Sequence, residues 1–277
     1  MSTIRSLLAS HDAQASYDAR RDAEILLGHA LCKSHAWLYA HGDDEVPDDT
    51  ADVFRSLSRQ RVVGAPIAYL VGHREFWTLD LVVTPAVLIP RPETELLVEL
   101  ALRQIPQGEK VDIADLGTGS GAIALAIARE RPRARVIATD TSEEALSVAR
   151  NNGERLKISN AEFIRSDWFG NLNRRMFDVI VSNPPYIASN DSHLSQGDLR
   201  FEPRSALVSG IDGLDSIREI LKNSPKHLKA GGYLMIEHGF DQGESIRTLF
   251  SQSGFVEIST SRDVEARERV SGARKPA

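Results

Sequence analysis

Residues 111–128, VDIADLGTGSGAIALAIA, pass from an apolar run through three alternating glycines into a helix of small residues. The first part has the continuous hydrophobicity of a buried strand, and the last part is too long and too alanine-rich to be one. Gly117, Gly119 and Gly121 let the chain turn tightly and let a ligand touch the backbone where a side chain would collide. A plain strand-to-helix turn needs one glycine, so three at alternate positions suggest a binding loop.

The pattern repeats outward from this stretch. Strands are expected at VDIADLG, RVIATD, AEFIRSD, FDVIVSN, GGYLMIEHG and VEISTSRD, with a weaker last one at ERVSGAR. Helices fall between them at GAIALAIARER, SEEALSVARNNGERL, DGLDSIREILKNSPKHL and FDQGESIRTLFSQSG. Such alternation implies an α/β fold, Rossmann-like, with a mainly parallel sheet covered on both faces and ligands beyond the carboxyl ends of its strands. The chemically suggestive residues all sit at such ends.

Asp140 closes the second strand, 23 residues after Gly117, where a carboxylate can accept both hydroxyls of a ribose. Loop and acid together predict a nucleoside-containing cofactor. Dinucleotide folds usually show G-x-G-x-x-G with a pyrophosphate on the helix dipole. Here the spacing is G-x-G-x-G, preceded by the acid Asp115. An acidic edge to the loop suits the cationic sulfonium of S-adenosylmethionine better than it suits phosphate. The third strand ends in Asp167 and Trp168, an acceptor for an adenine amino group and a ring to pack against it.

The fourth strand runs directly into Ser182-Asn183-Pro184-Pro185-Tyr186. Two prolines abolish two backbone donors and hold the adjacent carbonyls rigidly. The Asn183 amide oxygen and the Pro184 carbonyl can then accept the two hydrogens of a planar NH2 group, with Tyr186 over its flat face. An amide nitrogen is a poor nucleophile. Two acceptors on its hydrogens raise its electron density and stabilise the charge that develops during attack.

The front of the chain differs in texture. DARRDAEILLGHALC places Ala23, Leu26, Leu27, Ala30 and Leu31 at helical spacing, and DDTADVFRSLSRQRVV does the same with Val53, Leu57 and Arg61. REFWTLDLVVTPAVLIPRPET then reads as a hairpin or pair of short strands leading to a helix near Pro92. The boundaries expected are a helical N-terminal domain over residues 1–74, a connector over 75–92 and the α/β domain over 93–277. Cys32 is the only cysteine, which excludes an internal disulfide and fits a reducing cytosol. MSTIRSLLAS lacks a sustained apolar core, so no signal peptide is expected. The longest apolar stretch, near Ala122 to Ala128, is far short of a membrane span. A net charge of -6, with 12 acidic against 8 basic residues in the first 80, argues against a nucleic-acid surface.

Together DLGTGSGAIALA, ATD, SDWF, SNPPYI, FEPRSAL and LIPRPETE resemble the protein-(glutamine-N5) methyltransferases of class 1 peptide chain release factors, the PrmC/HemK family. The resemblance covers essentially the whole chain. It implies a class I S-adenosylmethionine-dependent fold with a seven-stranded sheet, and methylation of the glutamine in the release factor's GGQ motif. It also implies a cytoplasmic monomer and an N-terminal domain that recognises the substrate. By resemblance Gly117, Thr118, Gly119, Ser120 and Gly121 line the methionine and ribose portion, Asp140 binds the ribose hydroxyls and Trp168 sits at the adenine. Asn183, Pro184, Pro185 and Tyr186 hold the substrate amide, Asn183 and Pro184 act in catalysis, and Asn183 also borders the cofactor. The alternative is amino methylation of adenine or guanine in nucleic acid, which a clamp of this type also fits.

Other residues read more plainly. Glu93 and Glu95 are expected to favour the dipole of a helix first turn, and the Arg20-Arg21 pair to form a solvated face. His238 is read as a satisfied strand-end histidine, and the scattered histidines predict no metal site.

Overall fold

Helical periodicity dominates the first part of the chain, and strand–helix alternation dominates from residue 111. The computed structural model, which describes residues 2–12 and 17–277, divides into units Met1–Gly72 and His73–Ala277.

The first unit contains β1 (Ser2–Thr3), α1 (Ile4–Asp12), α2 (Tyr17–Leu31), α3 (His35–Ala40), β2 (Glu45–Val46), α4 (Asp48–Val62) and α5 (Ile67–Val71). Ala23, Leu26 and Leu27 of α2 are buried as their spacing predicts. They pack with Ile4, Leu7, Leu38, Ala51 and Phe54. The face of α4 is displaced from the expected one. Ala51, Phe54 and Ser58 point inward, while Val53 is 49% exposed. Phe54 is the larger apolar group, and burying it fixes the helix rotation. Asp48 and Asp49 lie in the first turn of α4 and Arg59 and Arg61 in the last, each favoured by the helix dipole. Arg61 also donates to Asp22 of α2 at 2.7 Å.

The second unit opens with a hairpin, β3 (His73–Phe76) and β4 (Leu79–Val82), and continues through α6 (Glu95–Gln104). The alternating region gives β5 (Asp112–Leu116), α7 (Ala122–Glu130), β6 (Arg135–Asp140), α8 (Glu143–Arg155), β7 (Ala161–Arg165) and β8 (Phe177–Ser182). It ends with α9 (Asp215–Asn223), β9 (Leu228–Glu237), α10 (Gly243–Gln252), β10 (Val256–Arg262) and β11 (Glu268–Arg274). The seven strands β5 to β11 form one sheet in the order β10-β11-β9-β8-β5-β6-β7. β7, β6, β5, β8 and β9 are mutually parallel, and β11 runs antiparallel between β9 and β10. Apolar clusters cover both faces: α6 and α7 contribute to one, α9 and α10 to the other.

The chain moves outward from β5 through β6 to β7, then returns to the other side of β5 as β8. A crevice forms beyond the strand ends wherever order reverses in this way. Leu116 and Ser182 are register partners, so Gly117 and Asn183 leave the sheet side by side. Ser182 reinforces the junction by donating its hydroxyl to the Leu116 carbonyl at 2.7 Å.

The hairpin is tied to the sheet layer by polar contacts. Glu95 accepts from the Trp77 backbone at 2.8 Å, a longer-range task than the dipole role expected of it. Buried Asn152 of α8 accepts from Val82 N at 2.7 Å and donates to the carbonyls of Val82 and Ser120, each at 3.0 Å. Among the described residues no helix is long and apolar enough to cross a membrane, and no group of acids, histidines or cysteines could hold a metal ion.

Candidate active site

The glycine loop is a turn built on its own backbone. Gly117 N and Thr118 N both donate to the Thr139 carbonyl at 2.8 Å, folding the loop over the end of β6. Gly121 has φ +84°, and a Cβ there would lie 3.1 Å from Leu125 and 3.2 Å from Ala149. Glycine at this position lets α7 and α8 approach closely. Gly117 has φ +73°, and a Cβ on it would meet the Trp168 ring at 3.4 Å. That contact places the tryptophan against the loop. Its backbone is left-handed (φ +45°), and the turn is held by Ser166, whose hydroxyl donates to the Trp168 carbonyl at 3.0 Å and accepts from Asn171 N at 2.9 Å.

Asp140 faces the same loop. One of its carboxylate oxygens accepts from Gly119 N at 2.9 Å and the other from Ser142 N at 2.9 Å. Each oxygen keeps lone-pair capacity for a ligand hydroxyl. A cavity of about 210 Å³ is bordered by Gly117, Thr118, Gly119, Ser120, Asp140 and Trp168 on one side and by Asn183 and Pro185 on another. Gly121, Pro184, Tyr186 and Asp167 are not in its wall. Asp167 is exposed, so the acceptor suggested for an adenine amino group lies outside this cavity.

Asp115 also departs from expectation. It does not form an acidic edge facing the ligand but is fully buried behind the loop. Its Oδ2 accepts from Thr118 Oγ1 at 2.6 Å and from Ala124 N, in the first turn of α7, at 3.2 Å. Oδ1 has no hydrogen-bond partner. Burial raises its carboxyl from 3.8 to about 7, opposed by the Thr118 and Ala124 bonds and assisted by the Asp140 charge.

Asn183 points its Nδ2 at Thr94 Oγ1, 3.1 Å away, and both residues border the cavity. No described group donates to Asn183 Oδ1, and none to the carbonyl of Pro184. The following backbone is pinned: Gln242 Nε2 donates to the Tyr186 carbonyl at 3.0 Å, and Ile187 and Val208 form a bridge. Gly213 packs so tightly there that a Cβ would fall 2.3 Å from the Tyr186 oxygen. The Tyr186 ring packs into the apolar cluster shared with α9 and α10, and its hydroxyl donates to Glu237 at 3.5 Å. Burial, with the Glu237 charge, raises its phenol. Glu237 ends β9 and is itself buried, its carboxyl lifted from 4.5 to about 7 chiefly by desolvation. His238 is buried and bonded to Gly239 O and Ser271 Oγ, each at 2.8 Å, consistent with a satisfied strand-end residue.

Comparison with known proteins gives the family. Residues 3–72 match the family described as PrmC N-terminal domain, and residues 93–199 match the Methyltransferase small domain. The release factor glutamine methyltransferase of Xylella fastidiosa (strain Temecula1) is 52% identical over 93% of this chain and 94% of its own. That of Escherichia coli (strain K12) is 47% identical over 93% and 92%. The chain belongs to the release factor glutamine methyltransferase family. A solved methyltransferase from Pyrococcus furiosus, 21% identical, shares the fold with a TM-score of 0.56 over 79% of this chain and 98% of that one.

Within this family member the cavity has a second wall that composition and spacing left unassigned. Ala86, Val87, Leu88, Pro90 and Arg91 border it from the segment after the hairpin, and Pro203, Ser205, Ala206 and Val208 from the stretch FEPRSALV. Arg91 joins the two by donating to Glu202 at 2.6 Å, where the Glu202 side chain is wholly buried. Desolvation raises the Glu202 carboxyl, and Arg91 opposes the rise. The motifs LIPRPETE and FEPRSAL are conspicuous in the sequence, but a pairing across 111 positions leaves no local signature.

Proposed function

We propose that this protein transfers a methyl group from S-adenosylmethionine to the side-chain amide nitrogen of the glutamine in the GGQ motif of class 1 peptide chain release factors. The observation that carries the reading is Asn183 Oδ1, which accepts from no described group in a residue bordering the glycine-lined cavity, with the unpaired Pro184 carbonyl next to it on a pinned backbone. Family membership at 47–52% identity over nearly the full length supports the substrate.

The residues present fit a sulfonium nucleoside better than a dinucleotide. A pyrophosphate needs the free N–H groups of a helix start or a cationic side chain. Here Gly119 N, Gly121 N and Ala124 N already donate, to Asp140, Thr118 O and Asp115, and the Asp140 carboxylate borders the cavity, so a pyrophosphate on the N–H groups that remain would meet an anion. Arg91, the one cation among the described lining residues, is engaged by Glu202. Gly117 to Ser120 would hold the methionine and ribose portion, Asp140 the ribose hydroxyls and Trp168 the adenine ring. When bound, S-adenosylmethionine supplies an electrophilic methyl group on a positively charged sulfur.

The chain's own residues orient the nucleophile. Asn183 Oδ1 and the Pro184 carbonyl accept the two N–H hydrogens of the substrate amide and fix its plane. As positive charge develops on the nitrogen, both dipoles are already aimed at it, so no reorganisation is needed. Tyr186 anchors the loop from behind through the Glu237 bond, rather than covering the cavity. The first unit would supply the docking surface for the release factor, and the enzyme would act as a cytoplasmic monomer.

The test is incubation with methyl-labelled S-adenosylmethionine and a purified class 1 release factor, tRNA or DNA, with the label located by mass spectrometry. Label on the glutamine is expected. Asn183→Ala should lower turnover by about 10²-fold or more, the scale of losing one preorganised transition-state contact. Asp140→Ala should chiefly weaken cofactor binding in calorimetry. Label confined to nucleic acid would overturn the reading.

A further inference from the structure

Glu237 is among the most deeply buried acids of the second unit, with 1% of its surface exposed, yet it has no salt-bridge partner among the described residues. The charged and polar groups facing it come from three directions. Thr94 and Glu93 lie just ahead of α6, Tyr186 follows β8, and Arg269 sits on β11. Arg269 does not neutralise it closely, because its guanidinium pairs with Asp263 at 3.3 Å and donates to the His238 carbonyl at 3.4 Å. Thr94 and Tyr186 favour the charged form by hydrogen bonding, while Glu93 opposes it. Oε2 remains without a hydrogen-bond partner.

Both neutral neighbours touch the acceptor pair. Tyr186 is part of the clamp loop and donates to Glu237 at 3.5 Å. Thr94 accepts from Asn183 Nδ2 at 3.1 Å. A threonine hydroxyl has one hydrogen, and while its oxygen accepts from Asn183 that hydrogen must point elsewhere. A carboxylate at Glu237 draws it away. If the hydrogen turned instead towards Asn183, the carboxamide would flip to accept it and would present Nδ2 to the substrate. Two N–H donors would then oppose each other.

Resting on the function proposed above, we infer that Glu237 is a positioning residue for the methyl-accepting amide. Its carboxylate sets the direction of the Thr94 hydroxyl, which fixes the Asn183 carboxamide with Oδ1 towards the substrate. The Tyr186 hydroxyl couples the same carboxylate to the loop carrying Pro184 and Pro185. Protonation of Glu237 turns an acceptor into a donor and removes the bias. The carboxyl sits at about 7, so orientation and turnover improve as pH rises through that value.

The test reads orientation and turnover separately. In the wild-type protein the side-chain amide resonance of Asn183, assigned by its loss in Asn183→Ala, should shift with a single transition between about pH 6 and 8. Glu237→Gln should abolish that transition. At saturating cofactor and release factor the variant should lower kcat about ten- to a hundred-fold, with cofactor Kd changed less than about two-fold. Thr94→Ser should retain the wild-type pH profile and Thr94→Val should reproduce the loss. An Asn183 resonance that does not follow Glu237, or a Glu237→Gln enzyme with wild-type kcat and pH profile, overturns the inference. If wild-type protein labels no release factor while the resonance still follows Glu237, the functional reading fails and the positioning network stands.

Discussion

Replacing Asp115 by asparagine isolates the cost of keeping an acid beneath the glycine loop. Burial raises this carboxyl from 3.8 to about 7, so the folded protein holds a proton there that the unfolded chain has lost. For a raised acid the sign is fixed. Stability is highest below the unfolded value near 4 and falls as pH rises towards the folded value, beyond which the whole penalty is present. The rise corresponds to roughly 4 kcal/mol as an upper bound. In Asp115→Asn the side chain carries no charge, so that pH dependence disappears. The substitution introduces a separate cost, because an amide Nδ2 would replace Oδ1, which has no partner. An orphaned buried donor costs about 1–3 kcal/mol at every pH. The constant cost cancels when the variant–wild-type difference is compared at two pH values. Urea denaturation at about pH 5 and pH 8, in a Trp37→Phe background so that Trp77 and Trp168 report the second unit, should move that difference towards the variant by about 2–4 kcal/mol. Glu237, also raised to about 7, leaves a residual slope of the same sign in both proteins. A slope unchanged by Asp115→Asn would show that this carboxylate is not desolvated as its burial implies.

Asn152→Ala should destabilise the second unit by about 2–4 kcal/mol, since three backbone partners lose a hydrogen bond at once, and hydrogen exchange at Val82 should accelerate. Deleting residues 1–72 should abolish methylation of intact release factor while leaving cofactor affinity within about three-fold, by calorimetry on material shown to be folded by circular dichroism. Undiminished turnover by the shortened chain would remove the first unit from substrate docking.

Much of the α/β architecture was legible because its signals are local. Strand runs, capping residues and glycines recur every ten to twenty positions, and alternation alone implies the parallel sheet. The positions of Gly117, Asp140, Trp168 and Asn183 follow from the rule that ligands gather at strand ends, and the cavity includes all four. What escaped depends on contacts between distant segments. Asn183 finds Thr94 across 89 positions and Arg91 finds Glu202 across 111. Asn152 looks like an ordinary helical polar residue until the hairpin folds against it. Asp115 reads as facing the ligand because a strand-end acid can point either way, and the demand of Ala124 N and Thr118 for an acceptor decides it. Tyr186 reads as a lid because an aromatic follows two prolines, yet its ring completes the apolar cluster against α9 and α10. On α4 the apolar stripe is too weak for spacing alone to choose between Val53 and Phe54.

A common logic links these long-range contacts. Asn183 directs one Nδ2 hydrogen to Thr94, the prolines have no N–H to offer, and Asp115 accepts from the start of α7. At the clamp, Asn183 Oδ1 and the Pro184 carbonyl accept from no described group, and Asn183 borders the cavity. On the function proposed above, such a pair selects a substrate that brings hydrogens. It also separates glutamine from glutamate. A glutamate carboxylate would set two lone-pair-bearing oxygens against Asn183 Oδ1 and the Pro184 carbonyl, with no hydrogen to share. Sites that hydrogen-bond an N–H or O–H reject an analogue lacking it by about 10⁴–10⁵ because their own polar groups are left unpaired. On the function proposed above, the acceptor pair would work as catalyst and filter together: the hydrogens that allow the amide to bind are those whose contacts activate its nitrogen.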